Sequence, residues 1–126
     1  MSFDQLYQEQ ILDHYKNPRN FGELRGATVK FKDFNPSCGD EVEMQFVISD
    51  KTISEVKFHG RGCAISQAAA SLLTDKIKGQ PIKSVKKIGN DEMFELLGVK
   101  LSPMRVKCGL LALKATEKAL QKYLPR

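Results

Sequence analysis

Apolar residues along the chain change period twice, and the changes mark out the fold. Phe3, Leu6, Tyr7, Ile11 and Tyr15 recur at helical intervals after Ser2 and Gln5, which have capping-box spacing. They predict a first helix over about residues 3 to 16, ended by Asn17-Pro18-Arg19-Asn20. Val29 and Phe31 then alternate with lysines, and Val42, Met44, Phe46 and Ile48 alternate with Glu41, Glu43, Gln45 and Val47. These read as two strands, the second with one buried face. Ser49-Asp50-Lys51 makes a short turn into a third strand carrying Ile53, Val56 and Phe58. Its alternation breaks between Ile53 and Val56, which predicts a bulge.

After Gly60-Arg61-Gly62-Cys63 the period becomes helical again. Ile65, Ala68, Ala69, Leu72, Leu73, Lys76 and Ile77 share one stripe, closed by Gly79. Pro81 to Lys87 and Asp91 to Leu97 read as two short helices, and Leu101-Ser102-Pro103 as a linker. The last helix is expected to begin near Cys108, to turn Leu110, Leu113, Leu120 and Leu124 inward, and to stop at Pro125. The pattern predicts an α+β fold, a small three-stranded antiparallel meander with helices on one side. With no repeat or composition break, residues 1–126 read as one domain.

Composition is that of an ordinary globular protein, 41% apolar and 28% charged. No apolar run approaches membrane-spanning length, and Met1 to Gln5 lack a signal-peptide pattern, so a cytoplasmic setting with reduced thiols is expected. The net charge of +5 is uneven: residues 100 to 126 hold seven bases and one acid, leaving 13 bases and 14 acids elsewhere. That asymmetry suggests an acidic partner for the C-terminal end. Nucleic acid is not the expected partner, because the basic end lacks a recognition motif and interleaved aromatics. Lys114, Lys118 and Lys122 form one helical stripe that serves equally as a solvated or a docking face.

The chemistry lies in three cysteines at element ends, each beside a glycine: Cys38-Gly39-Asp40, Gly62-Cys63 and Cys108-Gly109. An odd, dispersed set disfavours a disulfide framework. Cys63 and Cys108 are expected at helix starts, where backbone N–H groups favour thiolate, with Arg105 and Lys107 adding to the effect at Cys108. Separations of 25 and 45 residues fit no zinc-finger template. Three thiols and Asp40 nevertheless read best as a metal or cluster site, predicted to converge and to be partly exposed. His14 reads as a packing or hydrogen-bonding residue. His59, four residues before Cys63, is held as a reserve ligand.

The segments Asn35-Pro36-Ser37-Cys38-Gly39-Asp40, Gly60-Arg61-Gly62-Cys63-Ala64-Ile65-Ser66 and Arg105-Val106-Lys107-Cys108 resemble the three cysteine motifs of the IscU/NifU-type iron–sulfur cluster scaffolds. His14 to Gly22 resembles their N-terminal signature. The resemblance implies an IscU/SufE-like fold and a scaffold, not a turnover enzyme, that receives sulfur from a cysteine desulfurase. It would build a transient [2Fe–2S] cluster on Cys38, Asp40, Cys63 and Cys108 and pass it to apo-acceptor proteins, with Cys108 as persulfide acceptor. The same ligands also suit Zn2+. A chaperone and homo-oligomers are further candidate partners. Two departures stand out. Lys107 replaces the histidine of IscU scaffolds and resembles SufU-type zinc sulfurtransferases, whose insertion before the last cysteine this chain lacks. Leu101-Ser102-Pro103-Met104-Arg105 replaces the Leu-Pro-Pro-Val-Lys chaperone motif. The missing insertion favours the scaffold, and Asp40, a hard ligand on a soft cluster, suits release.

Overall fold

The structure is a computed structural model that describes residues 3–37 and 39–124, with side chains from residue 8 onward. Ser2, Cys38, Pro125 and the side chains of Phe3, Leu6 and Tyr7, all named above, lie outside the described set. The elements run α1 (Phe3–Lys16), β1 (Val29–Phe34), β2 (Glu41–Ser49), β3 (Thr52–Arg61), α2 (Ala64–Ile77), α3 (Ile82–Val85), α4 (Asn90–Leu97) and α5 (Pro103–Tyr123). The three strands form one antiparallel sheet in the order β1-β2-β3, the expected meander. No described helix is long and apolar enough to cross a membrane.

The β2–β3 connection is a two-residue turn in which Asp50 and Lys51 both have positive φ, 55° and 62°. That twist matches the flanking strands and sets the pairing of Ser49 with Thr52. Val47 pairs with Glu55 and Ile48 with Ile53, so Ser54 is the extra residue of a bulge, where the alternation breaks.

Val42, Met44, Phe46 and Ile48, with Ile53, Val56 and Phe58 of β3, are buried under the helical layer. α2 lies over β3 and α5 over β1 and β2, while α1 packs on α2 and α4 on both α2 and α5. The opposite face of the sheet is crossed by the segment between α1 and β1. Gly22 N–H donates to Phe58 O at 2.8 Å and Phe58 N–H to Asn20 O at 2.9 Å, covering the β3 edge. Leu24 N–H then donates to the side chain of Gln45, which is buried although it points away from the helices.

Several side chains depart from the pattern. Tyr15 is exposed, while His14 beside it is buried and its Nδ1 meets Ser71 Oγ at 2.7 Å, the packing and hydrogen-bonding role expected of it. Lys76 faces solvent and pairs with Glu92, and Leu124 is exposed. The largest difference is α5, which begins at Pro103 instead of near Cys108. Proline at the first helical position is preorganised for a helix and gives up an N–H that has no partner there anyway, so Leu101-Ser102-Pro103 is a helix start, not a linker.

Candidate metal centre

The site gathers at one end of the sheet from three elements. The β1–β2 connection supplies Asp40. There Asn35 Oδ1 accepts from Ser37 N–H at 3.1 Å, Gly39 N–H donates to Asn35 O and Asn35 N–H to Asp40 O, both at 2.8 Å. Gly39 has φ +78°, a left-handed conformation that glycine adopts freely. The end of β3 supplies Cys63 as the N-cap of α2, with Gln67 N–H bonded to its carbonyl. α5 supplies Cys108, buried against the core.

Side-chain donor atoms of Asp40, Cys63 and Cys108 all lie within 4.8 Å of one another. Around one tetrahedral ion, sulfur and oxygen donors at ordinary bond lengths stand roughly 3.5–3.8 Å apart. Asp40 Oδ1 accepts from Cys63 N–H at 3.3 Å, whereas the buried Oδ2 has no close hydrogen-bond partner among the described residues. Such an atom costs free energy unless something cationic meets it. Gly62 makes the approach possible: a Cβ there would collide with Ser66 Oγ and come within 2.8 Å of Asp40 Cγ. Burial pushes the Asp40 carboxyl upward, but the Cys63 and Cys108 side chains, the Cys63 N–H and the Ser66 hydroxyl outweigh it, holding the group below the usual carboxylate range. The donor set therefore fits a thiophilic metal.

Arg105 is the neighbour that the sequence placed only beside Cys108. Its guanidinium also stands by Cys63, and the charge of Cys63, then its contacts with Cys108, raise its pKa. A cation there offsets the charge that two thiolates and a carboxylate accumulate.

Cys108 is the sixth residue of α5, not a first-turn residue, so the free N–H groups of a helix start do not act on it. It is 1% exposed, while Cys63 is half-buried, so Cys63 is the open side of the described trio. Cys38 lies outside the described residues. Lys107 is exposed and is not among the convergent donors. Lys114 and Lys118 of the basic stripe are engaged within the chain, with Glu117 at 3.5 Å and Asp33 at 2.9 Å. His59 is not grouped with Cys63 and Cys108: it sits with Glu23 and Glu43 in a separate group. Sequence reading missed that group and the contacts of Gly62 and Ser66 with Asp40. The glycines on either side of Arg61 were the available signal for the latter.

Residues 6–126 match the model of the NifU-like N-terminal domain family. The zinc-dependent sulfurtransferase SufU of Bacillus subtilis is 38% identical, over 96% of this chain and 93% of that protein. The iron–sulfur cluster assembly scaffold protein IscU of Thermotoga maritima is 35% identical, over 97% of each. A crystal structure described as a putative iron–sulfur cluster assembly scaffold protein for the SUF system, from Fervidobacterium islandicum, superposes with TM-score 0.80 at 34% identity, covering 92% of this chain and 97% of that one. Both sequence alignments run over 138 residues against the 126 of this chain, so both relatives carry segments it lacks. A missing insertion therefore does not separate scaffold from sulfurtransferase.

Proposed function

Because the chain belongs to the NifU-like N-terminal domain family, we propose that it is a scaffold on which [2Fe–2S] clusters are assembled and then transferred to apo-proteins. The observation that carries the reading is the convergence of side-chain donor atoms of Asp40, Cys63 and Cys108 to within 4.8 Å of one another. In this reading Cys38, adjacent to Gly39 and Asp40 in the chain, supplies the fourth ligand of a cluster whose two irons need four protein donors. Asp40 is the weak ligand of the four, since a carboxylate binds a soft iron–sulfur unit less firmly than a thiolate, and its release opens the cluster to an acceptor.

Sulfur arrives from a cysteine desulfurase as a persulfide on Cys108. Since Cys108 is buried, delivery requires the site to open locally. A persulfide sulfur must gain two electrons and a proton to leave as hydrosulfide, returning the cysteine thiolate, so assembly needs a reductant as well as ferrous iron. Arg105 steadies the anionic sulfur set during this exchange. The exposed first turn of α5, where Met104 is 85% exposed, offers a docking point for a partner, although its sequence departs from the scaffold chaperone motif.

The test is anaerobic incubation with a cysteine desulfurase, cysteine, ferrous iron and a reductant. A mass gain of one sulfur on the protein and visible absorbance of a [2Fe–2S] cluster are expected, with both absent in Cys108→Ser. A second reading, zinc-dependent sulfur relay, is favoured by the SufU relative and by the suitability of two thiolates and a carboxylate for zinc. A protein that gains sulfur yet stays colourless supports it.

A further inference from the structure

We propose that Glu23, Glu43 and His59 form a second metal site, for a first-row divalent cation bound through oxygen and imidazole, on the sheet face away from the helices. Glu43 and His59 are cross-strand partners in β2 and β3, and Glu23 comes from the segment that crosses this face. His59 Nε2 lies 2.7 Å from Glu43 Oε1 and 2.8 Å from Glu23 Oε1. The three side chains each offer a donor atom within 4.8 Å of the others.

A buried amide holds this arrangement. Gln45 is 1% exposed, and its Oε1 accepts from Leu24 N–H at 2.7 Å, which fixes the amide with Nε2 toward the cluster. Nε2 then donates to Glu43 Oε1 at 3.0 Å and Glu23 Oε2 at 3.1 Å. Amides that orient carboxylates in this way accompany metal ligands and tune their affinity.

Two carboxylate oxygens converge on His59 Nε2, so a single N–H there would have to be shared between them. The Gln45 amide nitrogen lies 3.3 Å from the same ring nitrogen, so a proton there sets two donors face to face. A cation at the centre takes a lone pair from all three ligands. Two carboxylates and a neutral imidazole carry two negative charges, which a divalent ion balances. At bond lengths near 2.1 Å, ligands around a tetrahedral ion stand about 3.4 Å apart, so the donors must separate by about 0.6 Å. Glu23 has that freedom, with its side chain 72% exposed. A cavity of about 390 Å³ opens beside Glu43 and His59, with Glu41, Lys32 and Arg61 also on its walls. Hard oxygen donors make the site selective in a sense opposite to the cysteine cluster: it accepts manganous or ferrous ions without thiolate.

Manganous ion is the probe, added to full-length protein holding one equivalent of zinc, which the thiolates take first. Binding is read from loss of the free-ion electron paramagnetic resonance signal and from paramagnetic broadening of the His59 ring protons. One manganous ion per chain is expected, with affinity falling tenfold or more in Glu23→Ala and in His59→Ala. Glu23 is exposed, so its variant tests the site without risk to the fold. No uptake by the parent protein, or uptake unchanged in both variants, overturns the proposal.

Discussion

Gly62→Ala adds one methyl group at the point where Asp40 approaches Cys63. The new Cβ would stand 2.8 Å from Asp40 Cγ and 3.0 Å from Oδ1, besides colliding with Ser66 Oγ. The Ser66 hydroxyl can rotate away, but the carboxylate is held by the Asn35 turn and the Cys63 N–H. Carbon atoms prefer a separation of about 3.5 Å, so Asp40 must retreat by about 0.7 Å. Metal–ligand distances tolerate about 0.2 Å, and the displacement exceeds that several-fold. Zinc affinity should fall roughly 10–100-fold, and the metal-free protein should lose about 1–3 kcal/mol from overpacking. Affinity is measured by competition with a chromophoric chelator, and stability by urea unfolding in the presence of excess chelator. Gly89→Ala is the control, since its Cβ would meet nothing within 4 Å. Zinc affinity of Gly62→Ala within twofold of the parent would refute the reasoning, because Asp40 would then not be a ligand or not be displaced.

Asp40→Ala should slow cluster transfer to an apo-ferredoxin more than it impairs assembly; transfer as fast as the parent's counts against a labile carboxylate ligand. His14 is desolvated by burial, which lowers its pKa below the ordinary imidazole value of about 6.5. The unfolded chain then binds the proton more readily than the folded one, so stability is intact above that value and declines as pH falls below it toward the depressed folded value. Unfolding midpoints between pH 7.5 and 5 should show this slope, and His14→Asn should flatten it; an unchanged slope excludes His14 as its source. Phe46→Ala, at a fully buried ring in the central strand, should cost about 3–5 kcal/mol by chemical denaturation, and a loss under 1 kcal/mol would mean that the site collapses around the deletion.

The sheet was legible because one face is buried and strand side chains alternate with period 2, so Val42, Met44, Phe46 and Ile48 announce their own geometry. Even the bulge at Ser54 showed in the broken spacing of Ile53 and Val56. Helix ends were harder: Pro103 reads equally as a breaker or a first residue, and choosing the breaker misplaced Cys108 in its helix. Helical stripes are broad, which is why Tyr15 fits the apolar spacing yet faces solvent, while His14 beside it packs inward on Ser71. Nothing in the spacing of Asp40, Cys63 and Cys108 predicts their distances, since long-range packing of α2 and α5 sets them. That grouping was reached through chemical type, position at element ends and resemblance. The partnership of Glu43 with His59 follows from the β2–β3 register, but Glu23 joins them only because the crossing segment folds back over the sheet.

The central claim is that this site exchanges metal and accumulates sulfide, and it is tested most directly by metal accounting during sulfur delivery. Zinc-loaded protein is incubated anaerobically with a cysteine desulfurase, cysteine, ferrous iron and a reductant, then separated from small molecules and assayed for zinc, iron and acid-labile sulfide. The scaffold account predicts that zinc leaves as iron and sulfide enter in equal amounts, with colour that an apo-ferredoxin then removes. Retention of the zinc, with sulfur passing through the protein and neither iron nor labile sulfide remaining on it, would contradict the account.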